Sequence, residues 1–261
     1  MMTEPADLTI NGGLAVLSLR RGAEGNRLGR EMLASLDRAV MRLASEESLR
    51  ALLIRADGPR FCVGGAIDEF SAGGDIADYL DQVLEVGHRA MKILTALPCP
   101  VISAVQGPVA GAGIGLALSA DFVIAGRSMV LRAGYPALGL TPDFGVSWLL
   151  TKLAGVRHAT DILLTNRPVS AEECARLGLV GSVVEDDLLE TEARSLLDRL
   201  GKGPTQALAG MKQLIARARH QDYAAHLDDE RAVMLDAART RDASEGIMAF
   251  IARRGPVFSG N

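Results

Sequence analysis

Along the first half of the chain the apolar positions alternate between two spacings. Residues 8–19, LTINGGLAVLSL, hold two short β runs around a turn containing Asn11-Gly12, a hairpin signal. From 28 to 45, Met32, Leu36, Val40 and Leu43 recur on one helical face. ALLIRAD, at 51–57, is an apolar run of strand length, the kind buried on both faces of a sheet. The turn-rich stretch GPRFCVGGAIDEFSAGGD follows, and helical spacing returns over 76–97 through Leu80, Val83, Leu84, Met91 and Leu94. CPVISAV, at 99–105, predicts the next strand. A glycine cluster, a helix near 114–119 and strands near 122–125 and 129–132 come after it. Strands alternating with helices imply an α/β core. From about residue 185 only helical patterns are found, over 187–200, 204–219, 222–239 and 243–253. The chain therefore divides, on its pattern, into an α/β body at 1–195 and a helical region at 196–261 suited to packing against other subunits.

Composition changes this picture little. The 261 residues are 48% hydrophobic and 23% charged, ordinary for a globular protein. A net charge of −4, with no basic run, argues against a nucleic-acid partner. Cys62, Cys99 and Cys174 form no C-x-x-C pair and read as buried thiols of a reducing compartment. The start, MMTEPADLTI, is acidic and carries no signal-peptide pattern. The apolar stretch at 101–125 is broken by Gln106, Pro108 and Asp121, which argues against a membrane span. A cytoplasmic location is the expectation.

The stretch with candidate chemistry is VISAVQGPVAGAGIGLALSAD, 101–121. Gly111 and Gly113 fit the first half of the dinucleotide fingerprint G-x-G-x-x-G, but its third glycine is replaced by Leu116. The Gly-Lys-Ser/Thr ending of a phosphate-binding loop is also missing. A helix starting near Ala112 would still leave its first N–H groups without intrahelical partners, at the positive end of the helix dipole. Such donors can hold charge developing on a carbonyl oxygen. A tight packing elbow with no ligand explains the same glycines. A second glycine turn, Val63-Gly64-Gly65-Ala66, lies between a predicted strand and helix. No spacing of Cys, His or carboxylates suggests a metal site, and no G-x-S-x-G elbow surrounds a serine.

Two glycine turns in this order, with RFCVGGAIDEF, LPCPVISAVQGPVAGAGIGLALSADFVIA, LGLTPDFGVSWLLTKLAG, DILLTNRPVSAEECARLGLVGSVV, GPTQALAGMKQLI and SEGIMAFIARRGPVFSG, resemble the crotonase (enoyl-CoA hydratase/isomerase) superfamily over essentially the whole chain. The resemblance implies a spiral of β-β-α units with a C-terminal helical trimerisation region, assembled as a homotrimer or a hexamer. It implies an acyl-coenzyme A substrate and no separate cofactor. It implies an oxyanion hole made by the N–H groups of Gly65 and Ala112. Val63, Ala66, Ile67, Gly111, Tyr135 and Trp148 would line the acyl pocket, and Arg27, Arg60, Lys212 and Phe258 would meet coenzyme A.

The chain departs from the family where hydratases carry two glutamates. Those places are Gly115 and Tyr135 here. Asp143, in LGLTPDFG, is the substitute carboxylate. It resembles the aspartate of dienoyl-CoA isomerases, phenylacetate-pathway ring isomerases and chlorobenzoyl-CoA dehalogenase. Its alternative is an N-cap on a helix starting at Phe144. His88 shares an apolar helix face with Leu84 and Met91, and resembles the dehalogenase histidine in spacing. It is a candidate catalytic group or a packed core residue. Tyr135 lines the pocket, donates its hydroxyl or packs. Trp148 reads as core or pocket wall. The reaction expected is a double-bond shift in an unsaturated or cyclic acyl-CoA. The alternatives are hydration with Asp143 and a water, substitution with Asp143 as nucleophile and His88 activating water, and coenzyme A binding without catalysis.

Overall fold

The computed structural model describes residues 4–70 and 74–261. Residues 1–3, within the N-terminal stretch read above, and 71–73, within the turn-rich stretch, lie outside them. The hairpin forms as expected from strands β1 (Ala6–Asn11) and β2 (Leu14–Leu19), with Asn11 opposite Leu14. Gly12 and Gly13, at φ +56° and +80°, supply the left-handed pair that a two-residue hairpin turn needs.

Helix α1 (Arg30–Ala44) follows β2 and buries the predicted stripe of Met32, Leu36, Val40 and Leu43. Strand β3 (Ala51–Ala56) then leads through the first glycine turn to a short helix, α2 (Ile67–Phe70), and to α3 (Ile76–Ala96). Strand β4 (Val101–Val105) passes into β5 (Pro108–Ala110) and α4 (Ala112–Leu118). The unit repeats with β6 (Phe122–Gly126), β7 (Val130–Arg132) and α5 (Tyr135–Leu138). Helices α6 (Val146–Ala154) and α7 (Val156–Thr165), strand β8 (Val169–Ser170), helix α8 (Ala171–Arg176) and strand β9 (Ser182–Val184) complete the spiral.

The larger sheet runs β1-β2-β3-β4-β6-β9, parallel except for the hairpin. Its central strands are apolar on both faces because each face has its own cover. Leu52 and Ile54 of β3 join the main core with α1 and α3. Ala51 and Leu53 point the other way, onto Leu189, Ala193, Leu196 and Leu197 of helix α9 (Leu189–Gly201). This is the period of two expected of a strand buried on both sides. The smaller sheet, β5-β7-β8, is extended by single bridges between Cys62 and Val109 and between Leu28 and Gly65.

Helix α9 runs through position 195. The boundary expected at 195/196 therefore falls inside a helix packed on the sheet. Beyond it lie α10 (Thr205–Ala218), α11 (Tyr223–Ala238) and α12 (Arg241–Ile251). The three cysteines are buried and unpaired. Among the described residues no helix is long and apolar enough to cross a membrane.

Candidate active site

The two glycine turns lie side by side past the neighbouring parallel strands β3 and β4: Gly111 directly follows β5, and Gly64 comes two residues after Cys62, which bridges to Val109 of β5. They meet back to back. A Cβ on Gly64 would lie 2.9 Å from the Ala110 carbonyl oxygen and 3.4 Å from Gly111 Cα. Gly64 has φ +93° and Gly111 φ +50°, so both positions need glycine for conformation, and Gly64 also for space. Leu28 N–H donates to the Gly64 carbonyl at 2.7 Å, and Ala110 N–H to the Cys62 carbonyl at 3.0 Å. These bonds hold the two turns in one layer. Gly111 is the N-cap of α4, so Ala112 is its first residue and its N–H has no intrahelical acceptor. Gly65 and Ala112 thus occupy adjoining turns, as the resemblance requires of its two donors.

Tyr135 enters from the next repeat. Gly111 N–H donates to the Ala133 carbonyl at 3.2 Å, which brings the start of α5 against the glycine turn. Gly134 N–H is held by Asn166 Oδ1 at 2.7 Å. The sequence reading missed Asn166; an asparagine directly after a helical run is its signal, because it ends α7 in the left-handed conformation at φ +53°. The buried Tyr135 hydroxyl donates to Asp143 Oδ1 at 2.6 Å. Burial raises the Asp143 carboxyl above the usual aspartate value, against the opposing pull of the Tyr135 hydroxyl. Burial, then Asp143, push the Tyr135 phenol well above the usual range. The pair is a protonatable carboxylate with a hydroxyl that stays protonated.

The N-cap alternative for Asp143 does not hold. Helix α6 starts at Val146, after a left-handed Gly145, and has no side-chain cap. The Asp143 carboxylate faces Tyr135 instead. The reason lies in Phe144, which sits at φ +47° with its ring buried. A Cβ on Gly87 would run into that ring, and one on Gly115 into the Phe144 carbonyl oxygen. Two glycines on α3 and α4 therefore make the notch that Phe144 fills. Gly115, the place of one family glutamate, cannot carry any side chain while Phe144 is there. The pattern of apolar residues gave no sign of this notch, since Gly87 and Gly115 simply interrupt helical stripes.

His88 lies half-buried beside the same loop. Its Nε2 accepts a hydrogen bond from Phe144 N–H at 3.2 Å, and its ring meets the Phe144 ring edge-on at 5.7 Å. Cys62 is fully buried against α4, and burial pushes its thiol up to about 12, so it is an inert packing group.

The remaining expected residues divide. Val63 packs against Gly25, Ala66 is buried, and Ile67 is largely exposed at the start of α2. Arg27 is paired with Glu24 and Asp68. Arg60 is exposed, without an ion-pair partner among the described residues. Trp148 is 43% exposed and so is not a core residue; its ring lies against His220 and Arg219. Lys212 and Phe258 are not brought to the turns within this chain. Lys212 Nζ binds Asp121 at 2.9 Å and the Cys99 carbonyl at 3.1 Å, at the amino ends of β4 and β6. The Phe258 carbonyl accepts from Arg50, just before β3. Both residues tie the C-terminal region to the opposite edge of the strands.

Known proteins match this chain end to end in sequence and fold. The sequence profile of the enoyl-CoA hydratase/isomerase family matches residues 9–261. The 1,2-epoxyphenylacetyl-CoA isomerase of Escherichia coli is 35% identical over 96% of this chain and 97% of its own length. The trans-2-decenoyl-[acyl-carrier-protein] isomerase of Streptococcus mutans is 29% identical over 96% of each chain. The crystal structure of an enoyl-CoA hydratase from Bacillus anthracis superposes with a TM-score of 0.93 at 27% identity, over 98% of this chain and all of that one. With its spiral of β-β-α units and its paired glycine turns, the chain belongs to the enoyl-CoA hydratase/isomerase family.

Proposed function

We propose that this chain is a double-bond isomerase of an unsaturated or cyclic acyl-CoA. The single observation that carries the proposal is one half-buried carboxylate, Asp143, bonded at 2.6 Å by Tyr135 beside the two abutting glycine turns. The thioester oxygen would accept hydrogen bonds from Gly65 N–H and Ala112 N–H. The Asp143 carboxylate would then take a proton from one carbon of the acyl chain. The electron pair of that C–H bond would move through the chain onto the thioester oxygen, giving an enolate held by both amides. The protonated Asp143 would return the same proton to a second carbon as the electrons fall back. One carboxylate completes this cycle, because nothing is added and nothing leaves.

Burial suits Asp143 to the role, since a carboxyl with raised proton affinity is a stronger base and can hold the proton between the two steps. Hydration through a pair of glutamates has no residues here: Tyr135 stands at one place, and Phe144 closes the other at Gly115. The names of the two isomerase relatives given above agree with a double-bond or ring rearrangement on a thioester. The test is to supply a 3-enoyl-CoA and follow the rise of conjugated-thioester absorbance. The expected result is isomerisation by the wild type and none by Asp143→Asn, with thioester affinity nearly unchanged. Wild-type turnover by Asp143→Asn removes Asp143 from the chemistry.

Oligomerisation is part of the same proposal. Helices α10 to α12 leave Met211, Ile215, Met234, Met248, Phe250 and Ile251 exposed, which suits them to pack against further copies of the chain as a trimer or hexamer.

A further inference from the structure

His88 carries the one further assignment. We infer that it is a positioning residue, which sets the Asp143 carboxylate by holding the Phe144 backbone, and not a group that activates water. The inference rests on the isomerase reading, because it takes Asp143 as the group that must be placed.

Three observations converge on it. Phe144 has φ +47°, a left-handed conformation that is disfavoured for a non-glycine residue. A buried aromatic residue keeps such a backbone only where its surroundings over-determine it. The surroundings are visible. The ring sits in the notch opened by Gly87 and Gly115, and the backbone N–H donates to His88 Nε2 at 3.2 Å. Asp143 is the next residue back along the chain, and its Oδ1 is fixed at the other side by Tyr135. The loop is thus gripped at Phe144 from α3 and at Asp143 from α5. Releasing the first grip frees the dihedral angles that aim the carboxylate.

The same bond excludes the competing role. A ring nitrogen that faces an N–H must offer its lone pair to it. Nε2 is therefore already accepting, and the lone pair needed to take a proton from water is engaged. The other ring nitrogen, Nδ1, then carries the proton and can only donate. The glycine immediately before His88 fits this reading as well, since Gly87 lets the same turn of α3 admit the Phe144 ring.

The test compares His88→Gln with His88→Ala, alongside Asp143→Asn, in the 3-enoyl-CoA assay and by amide hydrogen exchange. A glutamine side-chain oxygen reaches about as far as Nε2 and can accept the same N–H, without acting as a base. The expected result is that His88→Ala lowers kcat by about 10–100-fold, the cost of misplacing a reacting group by up to an ångström. Its KM stays near wild type, and Phe144 N–H exchanges faster. His88→Gln restores both kcat and protection. The assignment is overturned if His88→Ala matches wild type in kcat and in Phe144 protection. It is also overturned if His88→Gln is as impaired as His88→Ala, with a covalent adduct accumulating on Asp143. Wild-type turnover by Asp143→Asn would instead sink the isomerase reading. The exchange measurement needs no substrate, so it judges the His88 contact in either case.

Discussion

Helices α4 and α11 make opposite use of the chain. All seven residues of α4 are buried, whereas none of the sixteen in α11 is. Helix α4 lies in the main core, where Gly113 and Gly115 let Cys62 and Phe144 press against it. Helix α11 leaves Tyr223, Leu227, Met234 and Leu235 exposed. The proposed backbone donors and carboxylate all come from one chain, from turns and a loop packed against one another. The C-terminal helices are not finished, because apolar surface of this extent is stabilised by burial and here finds no cover within the chain. Under the proposed function, the contrast separates chemistry, which close packing around glycines would hold, from assembly, which exposed apolar faces would hold.

The largest effect should come from breaking the finished side. Asp143→Asn is expected to lose about 10²–10⁴-fold in turnover, the usual worth of a positioned acid–base group. It should also raise the melting temperature. A buried carboxyl with a raised pKa costs the folded state stability as pH rises from the unfolded value through the folded one, and the amide has no such cost. Thermal melts at neutral pH check the sign.

Ala112→Pro comes next. Proline is tolerated at the first position of a helix, so α4 should survive, but the N–H is gone. The expected loss is about 10²–10³-fold in rate, the typical worth of one oxyanion donor, with an unchanged circular dichroism spectrum. An unaffected rate would show that the Ala112 amide is not used.

Tyr135→Phe sharpens the comparison more finely. The hydroxyl lowers the Asp143 pKa, so its removal raises that pKa further. The base must be ionised to act, and the acid limb of the pH–rate profile should therefore move to higher pH. The plateau rate should fall by about tenfold, the lower end of the worth of one hydrogen bond to a charged group. A limb that moves down, or stays, contradicts the placement of that hydroxyl.

The smallest effect on each site should come from the other side of the comparison. Phe250 is 85% exposed on α12, and Phe250→Ser should leave the fold of the chain intact. Under the trimer or hexamer proposal it should shift sedimentation towards smaller species. Unchanged sedimentation would place the contact surface elsewhere.

Much of this protein could be read without coordinates. The hairpin at Asn11-Gly12, the α1 stripe and the apolar strands at β3 and β4 are local signals, and they form within a residue or two of their expected ends. Glycine turns and a resemblance with its departures point to Gly65, Ala112, Asp143 and Tyr135; the fold sets the two glycine turns against each other and bonds Tyr135 to Asp143. Lys212 and Phe258 were named in the same way, yet the chain places them at the opposite ends of the strands. Trp148 read as core or pocket wall because indole is apolar, but α6 turns that face towards the end of α10.

What the sequence determined by itself is what depends on neighbours along the chain: periodicity, turn glycines, the loss of the glutamate pair and the presence of one replacement carboxylate. What only the tertiary structure decided is what depends on contacts between distant segments. Gly87, Gly115 and Phe144 belong to three elements, and no spacing rule relates them. Their fit closes the glutamate position, bends the backbone at Phe144 out of its usual range and turns Asp143 away from a helix cap towards Tyr135. A side chain's direction is set by the space left for it, and that space exists only once the other segments have arrived.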